Sequence, residues 1–276
     1  MSLDTLPPLR EALAAHDLMA KKSFGQHFLL DLNVTRKIAR LSEVTADDVV
    51  IEVGPGPGGL TRALLETGAR VIAIEKDGRF LPLLAEIAEA AEGRLTVIHG
   101  DALEANEAAL FAQAGREGGA IVSNLPYNVG TPLLVKWLTG RFTPASMTLM
   151  FQKEVALRIV AEPGSDDYGR LSVIVQATSD ARLVMDAPAR AFTPPPKVES
   201  AVVHLTPRAT RPDAATLSKL ERVTQAAFGQ RRKMLRSSLK VLGGADLCER
   251  SGIDASQRAE VIDVDGFLRL ARALQP

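Results

Sequence analysis

The sequence holds a single cysteine, Cys248, in 276 residues. A lone thiol makes neither an internal disulfide nor a cysteine-based zinc site, so a reducing compartment is expected. No uncharged apolar run approaches the roughly 18 residues that a membrane span requires. The N-terminal stretch MSLDTLPPLREALAAHD carries Asp4 and Glu11 and lacks a basic segment followed by an apolar one, so it does not read as a secretory signal. A soluble cytoplasmic protein is expected. Internal repeats and low-complexity tracts are also missing. With 46% hydrophobic and 24% charged residues, a disordered chain, a fibrous repeat and a coiled coil are excluded. At about 150 residues per domain, the length fits one large domain, or one large and one small.

Net charge is lacking too. Lys+Arg is 33 and Asp+Glu is 33. The average speaks against a polyanion partner, but position breaks it apart. Residues 1–206 hold 20 basic and 25 acidic side chains, and residues 207–276 hold 13 basic and 8 acidic. Between Lys219 and Lys240, seven basic residues face the single acid Glu221. A mildly acidic body with a basic C-terminal segment hints at a nucleic-acid or membrane contact; a solvated helix face reads equally well from charge alone.

What is present is a regular alternation. Leu9 to Met19 reads as a short helix opened by Pro7-Pro8. Lys21 to Leu30 shows no clear period. From Asp48 onward, strands at 49–53, 71–75, 95–99, 120–123 and 147–151 alternate with helices at 60–67, 80–92, 104–113, 132–138 and 154–160. This spacing predicts βαβ units and a doubly wound, Rossmann-like parallel sheet in an α/β fold. Leu171–Thr178, Ala181–Met185 and Ala201–Leu205 read as late strands at one edge, antiparallel where short turns join them. Residues 214–228, 231–241 and 265–274 read as helices. The composition shift at Pro207–Pro212 divides the chain into a domain of residues 1–206 and a small all-helical domain of residues 207–276.

The loop Gly54-Pro55-Gly56-Pro57-Gly58-Gly59 follows a strand and opens a helix. Glu75 stands 21 residues after Gly54, at the end of the next strand. Glycines let the backbone approach a ligand, and the acid can accept from ribose hydroxyls. The loop alone is ambiguous between a nicotinamide dinucleotide and S-adenosylmethionine, and also fits a plain strand-helix corner. Three features favour S-adenosylmethionine. Glu52, inside the strand end, suits a cationic methionine moiety and is poor company for a pyrophosphate. Asp101, after the third strand, can accept from an adenine amine. The fourth strand ends in Asn124-Leu125-Pro126-Tyr127. Acids at three successive strand ends outline a ligand lying across the C-terminal edge of the sheet.

The tetrapeptide has a specific chemical use. The exocyclic amine of adenine is a poor nucleophile, because its lone pair is delocalised into the ring. Acceptors on the Asn124 side chain and the Leu125 carbonyl suit the two amine hydrogens and favour a pyramidal nitrogen. Pro126 fixes the turn and has no N–H to compete. Tyr127 offers a ring for stacking. A sulfonium methyl donor is already activated, so positioning and electrostatics suffice, without a nucleophilic residue or a metal.

KKSFGQHFLLD (21–31), EVGPGPGGLT (52–61), Glu75, GDAL (100–103), NLPYNV (124–129), FTPPPKVES (192–200) and FGQRRKMLRSSL (228–239) occur in order. The set resembles the bacterial small-subunit rRNA adenine dimethyltransferases, the kasugamycin-resistance family, from about Leu6 to the C-terminus. The resemblance implies dimethylation of the N6 amines of two adjacent adenines near the 3′ end of 16S rRNA in the small ribosomal subunit, with S-adenosylmethionine as donor. By motif, the cofactor contacts fall on Gln26, His27, Leu29, Gly54, Glu75, Asp101 and Asn124, with Gly56 in the same glycine loop. Phe192 would face Tyr127 across the base. Many members of the family carry Asn where this chain has His27; a histidine can also donate to the cofactor carboxylate.

Gln230 to Lys240 then reads as a helix with Met234, Leu235 and Leu239 turned inward. Arg231, Arg232, Lys233 and Arg236 are the expected RNA-phosphate contacts, with folded RNA shape and an unstacked adenine as the target. A basic cluster at a helix start is mildly unfavourable with the helix dipole, which itself points to a polyanion partner. Neither metal nor membrane is expected, and a monomer is the simplest assembly. The competing readings are a large-subunit macrolide-resistance methyltransferase, an RNA-binding assembly factor without turnover, and a nicotinamide-dependent oxidoreductase.

Overall fold

The computed structural model describes residues 3–18 and 27–275. The described residues divide into two compact units, the first drawn from Met1–Leu134, Phe142–Lys153 and Leu183–Leu205, the second from Val135–Arg141, Glu154–Arg182 and Thr206–Pro276. Along the chain the elements are α1 (Leu9–Ala15), β1 (Phe28–Leu29), α2 (Leu32–Leu41), β2 (Val49–Val53), α3 (Gly59–Glu66), β3 (Arg70–Glu75), α4 (Leu81–Ala90), β4 (Leu95–His99), α5 (Glu107–Gln113), β5 (Ala120–Asn124), α6 (Gly130–Thr139), β6 (Ser146–Gln152), α7 (Lys153–Val160), α8 (Arg170–Thr178), β7 (Ser179–Ala187), β8 (Phe192–Thr193), β9 (Ser200–Pro207), α9 (Ala214–Gly229), α10 (Leu235–Ser238), α11 (Gly244–Arg250) and α12 (Val264–Ala273).

The main sheet runs β4-β3-β2-β5-β6-β9-β7. The pairs β4·β3, β3·β2, β2·β5 and β5·β6 are parallel, and β9 runs antiparallel to β6 with Gln152 opposite Ser200. Strands β2 and β3 read VVIEV and RVIAIE, and β2 is buried along its whole length. β-branched runs of this kind suit a parallel sheet covered on both faces. The chain passes outward from β2 to β3 and β4, then returns to β5 on the other side of β2. That reversal opens a crevice at the carboxyl ends of β2 and β5. A second, two-stranded sheet pairs β1 with β8, Leu29 opposite Phe192 and Phe28 opposite Thr193.

The core of the first unit includes Val50, Leu64, Leu84 and Val122. The core of the second includes Tyr168, Leu220, Leu235, Phe267 and Leu270. There Tyr168 donates its hydroxyl to the Ile262 carbonyl at 2.9 Å, and the Phe228 and Phe267 rings stack at 5.4 Å. Asp213 and Asp263 cap α9 and α12 by accepting from the Thr216 and Gly266 amides at 2.7 Å.

Several local expectations need correction. Residues 171–178 form helix α8, not a strand. The β-branched sequence LSVIVQAT is overridden by burial, with Val173, Ile174 and Val175 almost wholly buried. Polar side chains fix the turns: Ser172 donates to the Arg158 carbonyl, Gln176 to Ala161 and Thr178 to Ile174. Residues 231–241 are not one helix. Helix α9 ends at Gly229, Gln230–Lys233 form a turn, and only Leu235–Ser238 is α-helical. Leu235 and Arg236 donate their amides to Gln257 and Ala255, which replaces the helical bonds of a continuous segment. The dipole argument therefore reverses: the basic cluster follows the C-terminus of α9, where cations are favoured. Helix α1 ends at Ala15, short of the expected Met19, which lies outside the described residues. Helix α5 starts at Glu107, where Asn106 accepts from the Ala109 amide, three residues later than expected. Helices α2 and α11 and the β1·β8 pairing were not anticipated by periodicity.

Candidate active site

The crevice at the switch point is a cavity of about 530 Å³. That size suits a small-molecule ligand. Its lining brings together His27, Phe28 and Leu29 of β1 and its approach, Glu52 and the glycine loop after β2, Glu75 at the end of β3, Asn124 to Asn128 after β5, and Phe192 of β8.

The glycine loop is shaped by close approaches. Gly54 has φ of +64°, and a Cβ there would lie 3.3 Å from Cγ of Pro126, so the two loops touch at the switch point. A Cβ on Gly59 would lie 2.6 Å from the Leu29 carbonyl oxygen, which lets α3 start directly beneath β1. At Gly54 the left-handed backbone and the Pro126 ring disfavour a side chain, and at Gly59 the Leu29 backbone excludes one.

Two carboxylates lie at the base of the cavity. Glu52 is 2% exposed and accepts from Thr61 Oγ1 at 2.6 Å. Burial pushes its carboxyl up to about 8; the Thr61 bond opposes the shift and the nearby Glu75 charge adds to it. Glu75 accepts from the Gly56 amide at 3.0 Å and the Asp77 amide at 2.7 Å. Burial raises its pKa, and the amide bonds resist the change. A buried acidic floor beneath a glycine loop fits the cationic methionine end and the ribose of S-adenosylmethionine better than it fits a pyrophosphate.

Asn124 closes β5, and the preceding Ser123 donates to the Val53 carbonyl at 2.6 Å, binding the ends of β5 and β2 together. The Leu125 side chain is buried and Pro126 is exposed. The Val129 and Gly130 amides return to the Pro126 carbonyl and start α6. Tyr127 is half-buried, its hydroxyl 2.6 Å from Ser200 Oγ and its ring 6.3 Å from that of His27. Burial raises the phenol's pKa, and the Ser200 bond opposes this. His27 Nδ1 lies 2.7 Å from the Pro194 carbonyl oxygen.

Asp101 stands apart. It is not among the lining residues; its Oδ2 pairs with Lys76 Nζ at 2.7 Å and its Oδ1 accepts from the Leu103 amide at 2.9 Å. Gln26 lies outside the described residues. In the second unit Arg231, Arg232, Lys233 and Arg236 are exposed, and Arg231 Nη2 donates to the Asp166 and Tyr168 carbonyls at 2.6 and 2.7 Å. Sequence reasoning missed Phe28 and Phe80, which meet edge to face at 5.5 Å beside the glycine loop, and Thr61 and Ser200 behind Glu52 and Tyr127. Thr61 and Ser200 close two of the quoted motifs, EVGPGPGGLT and FTPPPKVES, which was the only signal for them. Among the described residues no group of three or more His, Cys, Asp or Glu side chains is arranged to hold a metal, and no helix is long and apolar enough to cross a membrane.

The family model described as ribosomal RNA adenine dimethylase matches residues 18–275. The chain belongs to that family. Within it, the chain is 72% identical over 273 residues to a protein of Phenylobacterium zucineum named ribosomal RNA small subunit methyltransferase A, covering 99% of this chain and 94% of that one. A protein of the same name from Mesorhizobium japonicum is 60% identical over 280 residues, covering 99% and 100%. Among solved structures, a dimethyladenosine transferase from Plasmodium falciparum aligns with a TM-score of 0.73 at 25% identity, over 88% of this chain and 96% of that one. The 23S rRNA methyltransferase ErmE aligns with a TM-score of 0.66 at 27% identity, over 90% and 99%. As a member of the dimethylase family the chain is a methyltransferase that uses S-adenosylmethionine, on a Rossmann-like sheet with a helical C-terminal part.

Proposed function

We propose that this chain dimethylates the N6 amines of two adjacent adenines near the 3′ end of 16S rRNA in the small ribosomal subunit, acting as a cytoplasmic monomer. The observation that carries this reading is the meeting of the glycine loop, the buried Glu52 and Glu75, and the Asn124–Tyr127 tetrapeptide in one crevice. The family supplies the reaction type: an rRNA adenine as acceptor.

When bound, S-adenosylmethionine supplies a methyl group on a cationic sulfur. In this reading Glu52 answers the positive methionine end. Glu75 accepts from the ribose hydroxyls, held in place by two backbone amides. His27, Leu29, Gly54 and Gly56 complete the contacts, with Gln26, which precedes His27 in the sequence. Asp101 accepts from the cofactor's adenine amine, in place of the exposed and weakly held Lys76 ammonium. Asn124 Oδ1 and the Leu125 carbonyl take the two hydrogens of the target amine, so that its lone pair faces the methyl group. Pro126 keeps the turn rigid. Tyr127 and Phe192 stack on the flipped base. Residues 1–206 carry this chemistry, and residues 207–276 carry the RNA contacts through Arg232, Lys233 and Arg236, with Arg231 shared between phosphate and its own backbone partners.

The experiment is methyl transfer from labelled S-adenosylmethionine to immature small subunits. Incorporation is expected with the wild type. Asn124→Ala is expected to lower turnover at least about 100-fold, or about 2.7 kcal/mol on the barrier, and to leave RNA binding nearly unchanged. No incorporation by the wild type overturns the function, and full activity in Asn124→Ala removes that side chain from the mechanism.

A further inference from the structure

Ser200 opens β9 immediately after the FTPPPKVE stretch and is wholly buried. The antiparallel ladder fixes its backbone opposite Gln152 of β6. Its Oγ lies 2.6 Å from the Tyr127 hydroxyl, which belongs to a ring lining the cavity. A serine on a paired strand has one side-chain torsion to lose, so it is a stiff anchor at low entropic cost. A tyrosine ring has two torsions; tethering its far end holds both.

The same segment carries the second aromatic side chain of the cavity. Phe192 is 2% exposed, and its backbone is paired with Leu29 in the small sheet. Eight residues along, Ser200 takes hold of Tyr127 from behind. The stretch 192–200 therefore contains one ring and anchors the other. Stacking on a base demands that a ring present its face in a fixed orientation, and a small misplacement of a positioned group is costly to the chemical step.

We infer that Ser200 is a positioning residue for methyl transfer, fixing the Tyr127 ring through the hydroxyl–hydroxyl hydrogen bond so that the target adenine meets a preset stacking face. The inference rests on the reading of the cavity as the site of adenine methylation. A buried serine that merely satisfies a phenol would affect folding stability and leave the chemical step alone. A positioning residue would affect turnover, with substrate and cofactor binding unchanged. Burial raises the phenol's pKa, so the Tyr127 hydroxyl keeps its proton at neutral pH and stays available for the bond.

The test compares wild type, Ser200→Ala, Tyr127→Phe and the double variant on immature small subunits. Cofactor affinity is read by calorimetry and folding by thermal denaturation. Each single substitution is expected to lower kcat about tenfold, with KM for subunits and cofactor Kd within about twofold of wild type. The double variant is expected to lose about tenfold, not about a hundredfold, because one hydrogen bond is removed from either end. Should Ser200→Ala fail to fold, Tyr127→Phe removes the same bond from the cavity side and carries the kcat-against-KM comparison alone. Unchanged kcat in the single variants, multiplicative losses in the double, or a loss that appears in cofactor Kd instead of kcat would overturn the inference. An active wild type with an indifferent Ser200→Ala overturns the inference alone; a wild type without methyl transfer overturns the function and the inference with it.

Discussion

Glu52 shows what a single residue does when the fold removes its water. Its carboxyl is buried against the Thr61 hydroxyl, and the charge of Glu75 acts on it. In the unfolded chain it loses its proton near 4.5; in the folded, ligand-free protein it keeps the proton up to about 8. Between those values the unfolded state binds fewer protons than the folded state, so stability falls as pH rises through the window. Above about 8 the full cost is present. Glu52→Gln removes this component and retains an oxygen that can accept from Thr61. The variant is therefore expected to gain stability relative to wild type as pH rises from 5 to 9, by on the order of a few kcal/mol, and to bind S-adenosylmethionine more weakly. Thermal denaturation of both proteins across that range checks the first part, and a difference independent of pH contradicts it.

Among the elements, glycines and caps decide where several of the helices start. Gly59 sits at the first turn of α3 with the Leu29 carbonyl 2.6 Å from where a Cβ would be. Gly59→Ala must push β1 away from α3, and a loss of about 1–3 kcal/mol in folding stability is expected, together with weaker cofactor binding because Leu29 lines the cavity. Urea denaturation and calorimetry read the two effects, and unchanged stability would mean that β1 yields freely. This is also the scale at which sequence pattern is most and least informative. The parallel strands and the helices between them were legible because β-branched runs ending in glycine recur at regular spacing. The switch-point crevice was legible because Gly54 follows a strand and Glu75 and Asn124 each stand at the end of one. Helix α8 was not, since its residues favour strand and only tertiary burial makes them helical. The turn at Arg231–Lys233 was hidden because helical periodicity runs through it, while bonds from Leu235 and Arg236 to the Gln257 and Ala255 carbonyls break the helix. Ser200 and Thr61 showed only as the last letters of two motifs, because a hydroxyl's partner is set by three-dimensional approach and leaves no periodic trace.

At the scale of the whole molecule, the zero net charge conceals two opposed ones. The first 206 residues have an acidic excess of five, and the last 70 a basic excess of five. Glu52 and Glu75 place part of that acidity inside the cavity, where the proposed reading sets it against a cationic cofactor. The basic excess is modest and partly committed. Arg231 donates to two backbone carbonyls of its own unit, so Arg231→Ala is expected to lower the melting temperature, whereas Arg232→Ala is not. That leaves Arg232, Lys233 and Arg236 as the exposed cations of the 231–236 segment without this backbone commitment. If these three meet phosphates, the logarithm of the RNA association constant falls against the logarithm of salt with a slope of about −2 to −3, by counterion release of about 0.7–0.9 per contact. Replacing Arg232 and Lys233 together by alanine should reduce the slope by about 1.5 and weaken different RNA sequences alike, since phosphate contacts carry no base identity. Filter binding to a small-subunit RNA fragment at stepped salt concentrations measures both quantities. A slope near −8 in the wild type would require many more cations than this segment offers, and would move the RNA interface to other surfaces of the chain.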